Sequence, residues 1–166
     1  MSQELIKARS LLSQVNSLMK QNKFLPALQS LHDGLLIVMR NPLLKQEKEE
    51  FERILEDIAY RFDGNEKFRT LVPIKITYTP GQEKQFYTVI KDLLRDLKET
   101  AINQAKVRME EMQKLRAQGL KQGMELIEQG KFEEARAHFA ALVKKFPDDT
   151  ELKAEIGEIY LRAAQY

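Results

Sequence analysis

Between Gln82 and Gln118 the chain has neither proline nor glycine. Phe86, Ile90, Leu93, Leu97, Ala101, Ala105, Met109 and Met112 recur there every three or four positions. That spacing is the period of one α-helical face, and no breaker interrupts it. A helix of more than about 30 residues exceeds the usual globular length and belongs to connectors or partner surfaces. The step is mostly four, and the second half of the stripe is alanine and methionine. We therefore expect an extended spacer packed against its neighbours rather than a coiled coil. With 166 residues in all, the rest of the chain makes one domain or two small helical ones.

The same period governs what precedes it. Leu5, Ala8, Leu11, Leu12, Val15, Leu18 and Met19 mark a helix from about Gln3 to Lys20, broken by Gln21-Asn22-Lys23. Phe24, Ala27, Leu28, Leu31, Leu35, Val38 and Met39 mark a second, stopped by Asn41-Pro42. A third runs from Leu44 to Phe62 and closes on Asp63-Gly64-Asn65. Glu66 to Leu71 reads as a short helix. Val72 to Tyr78 alternates like a strand, but a lone strand cannot pair its backbone, so an extended segment lying on helices is expected. Thr79-Pro80-Gly81-Gln82 reads as a helix start, with Thr79 as N-cap, Pro80 at the first helical position and Gln82 completing a capping box.

Composition narrows the function classes. Lys and Arg number 27 against 25 Asp and Glu, a formal charge of +2, and neither end carries an excess of one sign. A dedicated nucleic-acid binder needs a clear basic surplus. Cysteine is absent, which excludes disulfides, thiolate metal sites and cysteine nucleophiles. The polar amphipathic start and the longest apolar run, Leu35 to Met39, fit neither a signal peptide nor a membrane span, so a cytoplasmic protein without a membrane partner is expected.

From Arg116 the pattern becomes specific. Gly123-Met124-Glu125-Leu126 is followed by Gly130-Lys131-Phe132-Glu133-Glu134-Ala135, then Phe139, Leu142 and Pro147, and later by Gly157 and Tyr160. Gly123 and Gly157 lie 34 positions apart, as do Leu126 and Tyr160. This stretch resembles the tetratricopeptide repeat, whose period is 34. Departures are Gly119 where an early aromatic belongs and Gln122 where a leucine belongs. Gly123 and Ala135 are small so that two antiparallel helices approach closely, while Leu126, Phe132 and Phe139 fill the space between them. Tyr160 would do so in the next repeat. Gly130 supplies a left-handed turn, Pro147 stops the second helix, and Asp148 with Glu151 caps the last one. Asn22-Lys23-Phe24-Leu25-Pro26-Ala27 with Leu31 echoes Gly130 to Ala135 with Phe139, although Val15 stands where the small glycine should be.

The resulting reading is an all-α protein of helical hairpins. It comprises an N-terminal helical bundle over 1–79, a long connecting helix over 80–115 and a C-terminal tetratricopeptide-like, α-solenoid unit over 116–166. The resemblance implies partner binding in a groove lined by the first helices, here Leu120, Met124, Ile127, Ala154, Glu155 and Glu158. It also implies a peptide or amphipathic-helix partner and no cofactor or metal. The basic and amide residues of a carboxylate clamp are missing. A solenoid needs about three repeats to bury its faces, so either the N-terminal bundle or another chain, a partner or a second copy, must cover what one and a half leave open. The alternative is a nucleic-acid-associated protein using Lys106, Arg108, Lys114, Arg116 and Lys121. Catalysis has no constellation: His32 and His138 are isolated, and the paired glutamates diverge by about 100° on a helix.

Overall fold

The computed structural model describes residues 2–164; Gln165 and Tyr166, included in the expected last helix, lie outside the described residues. Those described form seven helices and no strand. They are α1 (Gln3–Lys20), α2 (Phe24–Arg40), α3 (Lys45–Asp63), α4 (Glu66–Leu71), α5 (Glu83–Glu128), α6 (Phe132–Lys145) and α7 (Thr150–Ala164). The all-α expectation holds. None of these helices is long and apolar enough to cross a membrane.

Contacts divide the chain into two compact units, one up to Ile102 and one from Asn103. The division falls inside α5, so the expected connecting helix over 80–115 is not a separate element. Its first turns bury Phe86, Ile90, Leu93 and Leu94 in the core of the first unit. Its last turns are the first helix of the second unit's hairpin, with Leu120, Leu126 and Ile127 packed on that core.

The start of α5 differs from expectation as well. Thr79 accepts a hydrogen bond from Gln82 N–H at 3.0 Å, and Gly81 has φ +88°, so Pro80 and Gly81 are the middle of a turn. A left-handed residue in the third place demands glycine and cannot begin a helix. The helix therefore starts at Glu83. Its carboxylate accepts from the Tyr78 hydroxyl at 2.8 Å and from Gly81 N–H at 3.3 Å. Burial, with this bond to Glu83, pushes the Tyr78 phenol well above its usual pKa.

In the first unit α1 and α2 form an antiparallel hairpin whose apolar faces meet. Leu12 and Val15 are buried on one side, Leu28, Leu31 and Leu35 on the other. Gly34 makes the approach possible, because a Cβ there would stand 2.9 Å from Leu12. The α3 helix adds Phe51, Leu55, Ile58 and Phe62, and the Phe68 ring on α4 lies edge-on to Phe24 and Phe62, with centroids 5.5 and 4.8 Å apart. The segment after α4 is neither helix nor strand, and it lies on the core with Val72 and Ile76 buried and Asp63 accepting from Ile76 N–H at 3.4 Å.

In the second unit two glycines of α5 receive side chains of α6. A Cβ on Gly123 would collide with the Phe139 ring, and one on Gly119 would stand 2.6 Å from Leu142. Gly119, a departure from the repeat pattern in the sequence, is the place that Leu142 fills. Phe139 also meets Tyr160 of α7 at 5.7 Å between centroids, and Leu152 and Ile156 complete the core.

The packing of a rigid ring on a bare backbone yields a test. Gly123→Ala should destabilise the second unit by about 1–3 kcal/mol through overpacking. Phe139→Leu in the same chain should recover part of that loss, with a coupling of about 1 kcal/mol measurable by denaturant unfolding. Simple additivity would contradict the packing described.

Candidate partner-binding site

The turn that joins α5 to α6 sets the geometry of the C-terminal hairpin. Gly130 has φ +76°, its N–H donates to Ile127 O at 3.0 Å, and Lys131 N–H donates to Leu126 O at 2.9 Å. These bonds satisfy carbonyls that the helix end leaves open. The α1–α2 turn repeats them: Asn22 has φ 59°, its N–H donates to Met19 O at 3.0 Å, and Lys23 N–H donates to Leu18 O at 2.9 Å. Asparagine is the residue other than glycine that most readily takes this conformation. The echo seen in the sequence around Asn22 and Gly130 is thus one turn used twice.

The turn delivers Phe132 to an unexpected place. Expected between the helices, it is 56% exposed, because it is the first residue of α6 and precedes the buried face on which Ala135 and Phe139 lie. There it lines an open groove of about 360 Å³ with Met124, Ile127 and Glu128 of α5 and Ile159, Arg162 and Ala163 of α7. The groove is apolar along its floor and carries one charge of each sign, Glu128 and Arg162.

Of the six groove residues expected from the sequence, the structure brings together Met124 and Ile127. Leu120 packs half-buried against the core. Ala154 and Glu158 are exposed on α7 away from that groove, and Glu155 turns to Arg116. Reasoning from the sequence missed Ile159, Ala163 and Phe132. The first two continue the Leu152–Ile156 stripe at helical spacing, a signal that was available. Gly123, Ala135 and Phe139 occupy the packing places expected of them, whereas Leu126 and Tyr160 are only half-buried. Pro147 is exposed in the turn after α6. Among the described residues, its own helix backbone aside, no atom lies within 4 Å of a Cβ built on Gly157, so that glycine opens on space.

An ion-pair network holds α7 against α5. Arg116 Nε donates to Asp149 Oδ2 at 2.8 Å, and its terminal nitrogens reach Glu155 at 3.3 and 3.4 Å. Asp149 also accepts from Leu152 N–H at 2.9 Å. Asp149, not Asp148, is therefore the cap of α7. The Arg116 guanidinium bonded to it holds its carboxyl below the usual carboxylate range, and the Leu152 N–H adds to this. The same Asp149 bond raises the Arg116 pKa.

Both histidines bridge helices. His32 contacts Asp33 at 2.9 Å through Nδ1 and the Tyr87 hydroxyl at 3.1 Å through Nε2, and His138 Nε2 donates to Gly119 O at 2.8 Å. Among the described residues no three His, Asp or Glu side chains gather as metal ligands would.

No family model, curated protein or solved structure matches this chain.

The Asp149 pair makes stability depend on pH. A carboxyl whose pKa is depressed in the folded state contributes stability above its unfolded value, near 3.9, and loses it as pH falls through the lower folded value. Asp149→Asn keeps the cap but not the charge. Wild type should exceed this variant in melting temperature at pH 7, and the gap should close below about pH 4. A gap that stays constant to pH 2 would mean that the charge contributes nothing.

Proposed function

We propose that this chain is a non-catalytic adaptor or assembly factor whose C-terminal hairpin, a tetratricopeptide-like unit, holds a peptide or amphipathic helix of another protein. The observation that carries the reading is the apolar groove of Met124, Ile127, Phe132, Ile159 and Ala163, in which Phe132 is more than half exposed. Large apolar side chains lining a concave surface between helices are the usual anchor for an incoming helix. The 34-residue spacing of Gly123 to Gly157 and of Leu126 to Tyr160 supports the repeat reading. So does the turn shared by Gly130 and Asn22. Among the described residues the space beside Gly157 is open, which leaves that face of α7 free to receive a helix.

The nucleic-acid reading loses one of its five basic residues, since Arg116 is engaged by Asp149 and Glu155. What is left, Lys106, Arg108, Lys114 and Lys121, shares the same helix with Glu110 and Glu111. A cytoplasmic setting is proposed with the adaptor role.

Native co-purification of the tagged chain, with and without nuclease, tests this. One stoichiometric protein partner should survive nuclease and moderate salt. Phe132→Ala with Met124→Ala should cut its recovery about tenfold, a loss of roughly 1.4 kcal/mol. Each surface substitution should change unfolding free energy by no more than about 0.5 kcal/mol. Partners that vanish with nuclease would overturn the proposal, because phosphate contacts weaken steeply with salt and an apolar groove does not.

A further inference from the structure

From Asn103 to Leu115 every residue of α5 is exposed. Met109 is 63% and Met112 42% accessible, large values for apolar side chains on a regular helix. At 3.6 residues per turn, Ala105, Met109 and Met112 fall on an arc of about 80° together with Leu120, Gly123 and Ile127 farther along. At the latter three the line is buried or half-buried in the core of the second unit; at the former three it is bare. The nearest charges on either side of the bare part are Lys106 and Arg108, and neither is in an ion pair among the described residues. Glu110, Glu111 and Lys114 lie farther round the helix.

The covered part of the line shows what such a surface accepts. Arg116, one turn beyond Met112, binds Asp149 and Glu155, which flank the apolar Leu152 and Ile156 of α7. An amphipathic helix with acidic edges thus already sits on this face. We propose that the bare part, Ala105 to Met112, docks a second helix of the same chemistry from another protein: apolar residues at three- and four-residue spacing, edged by Asp or Glu. A second copy of this face would bring Lys106 and Arg108 against their like, which charge repulsion opposes. Methionine suits the role, since its unbranched thioether adapts to the partner's shape. This surface is distinct from the groove around Phe132.

The test is selection of 18-residue helical peptides from a displayed library on the intact chain. Enriched sequences should carry Leu, Ile, Phe or Met in a helical stripe with Asp or Glu at its edges. Their affinity should fall at least tenfold for Met109→Glu with Met112→Glu, and stay unchanged for Phe132→Ala. Selection on Lys106→Glu with Arg108→Glu should turn the edges to Lys and Arg. All substituted side chains are exposed, and far-UV circular dichroism checks that α5 persists. Enriched sequences without acidic edges, binding that survives the methionine substitutions, or no enrichment would each overturn the proposal. So would a wild-type dimer that the methionine substitutions disperse, or displacement of the peptides by a short RNA.

Discussion

A helix that lacks a side chain at one position lets its neighbour come in until a large residue touches backbone, and both hairpins of this protein are built on that interlock. In the second unit Gly119 and Gly123 on α5 receive Leu142 and Phe139 of α6. In the first unit the small residue is on the opposite helix, where Gly34 of α2 receives Leu12 of α1. Dispersion and exclusion of water favour the arrangement because interiors are as dense as organic crystals and leave no room for error of a methyl group. Everything downstream follows from that spacing: the seat of Tyr160 on Phe139, the bond from His138 to Gly119 O, and the groove that α7 completes.

The long helix is a shared resource rather than a spacer. Its two ends are buried in different cores, and this anchoring sustains a helix whose middle is exposed. An isolated stretch of that kind is marginal in water, since most helical stability in proteins comes from packing of one face. Arg116 is the first residue after that stretch to be partly covered. Its fork ties the cap and second turn of α7 to α5 through two carboxylates on one guanidinium.

Much of this was legible in the residues. The spans of α1, α2 and α3 follow from apolar periodicity and from breakers at Asn22, Pro42 and Gly64, because burying one stripe is a local requirement repeated every turn. The left-handed turn at Gly130 was legible from glycine chemistry. Its twin at Asn22 was hinted at by the sequence echo, though asparagine signals the conformation more weakly. Thr79 to Gln82 misled because the same residues serve a helix start and a turn with glycine third, and the half-buried Tyr78–Glu83 bond favours the turn. Asp148 and Asp149 are equally good caps in isolation; only the second reaches Arg116.

The sequence by itself determined the helical class, the spans of α1 to α3 and the small residue at Gly123, because each rests on periodicity or on backbone freedom that a residue carries with it. Tertiary structure alone decided where α5 passes from one core to the other, why Gly34 rather than Val15 is the small partner in the first hairpin, and that Phe132 faces solvent beside Met124. Those outcomes depend on which side chain meets which across space, a matter of volumes and charges on helices far apart in the chain. No single helix encodes it.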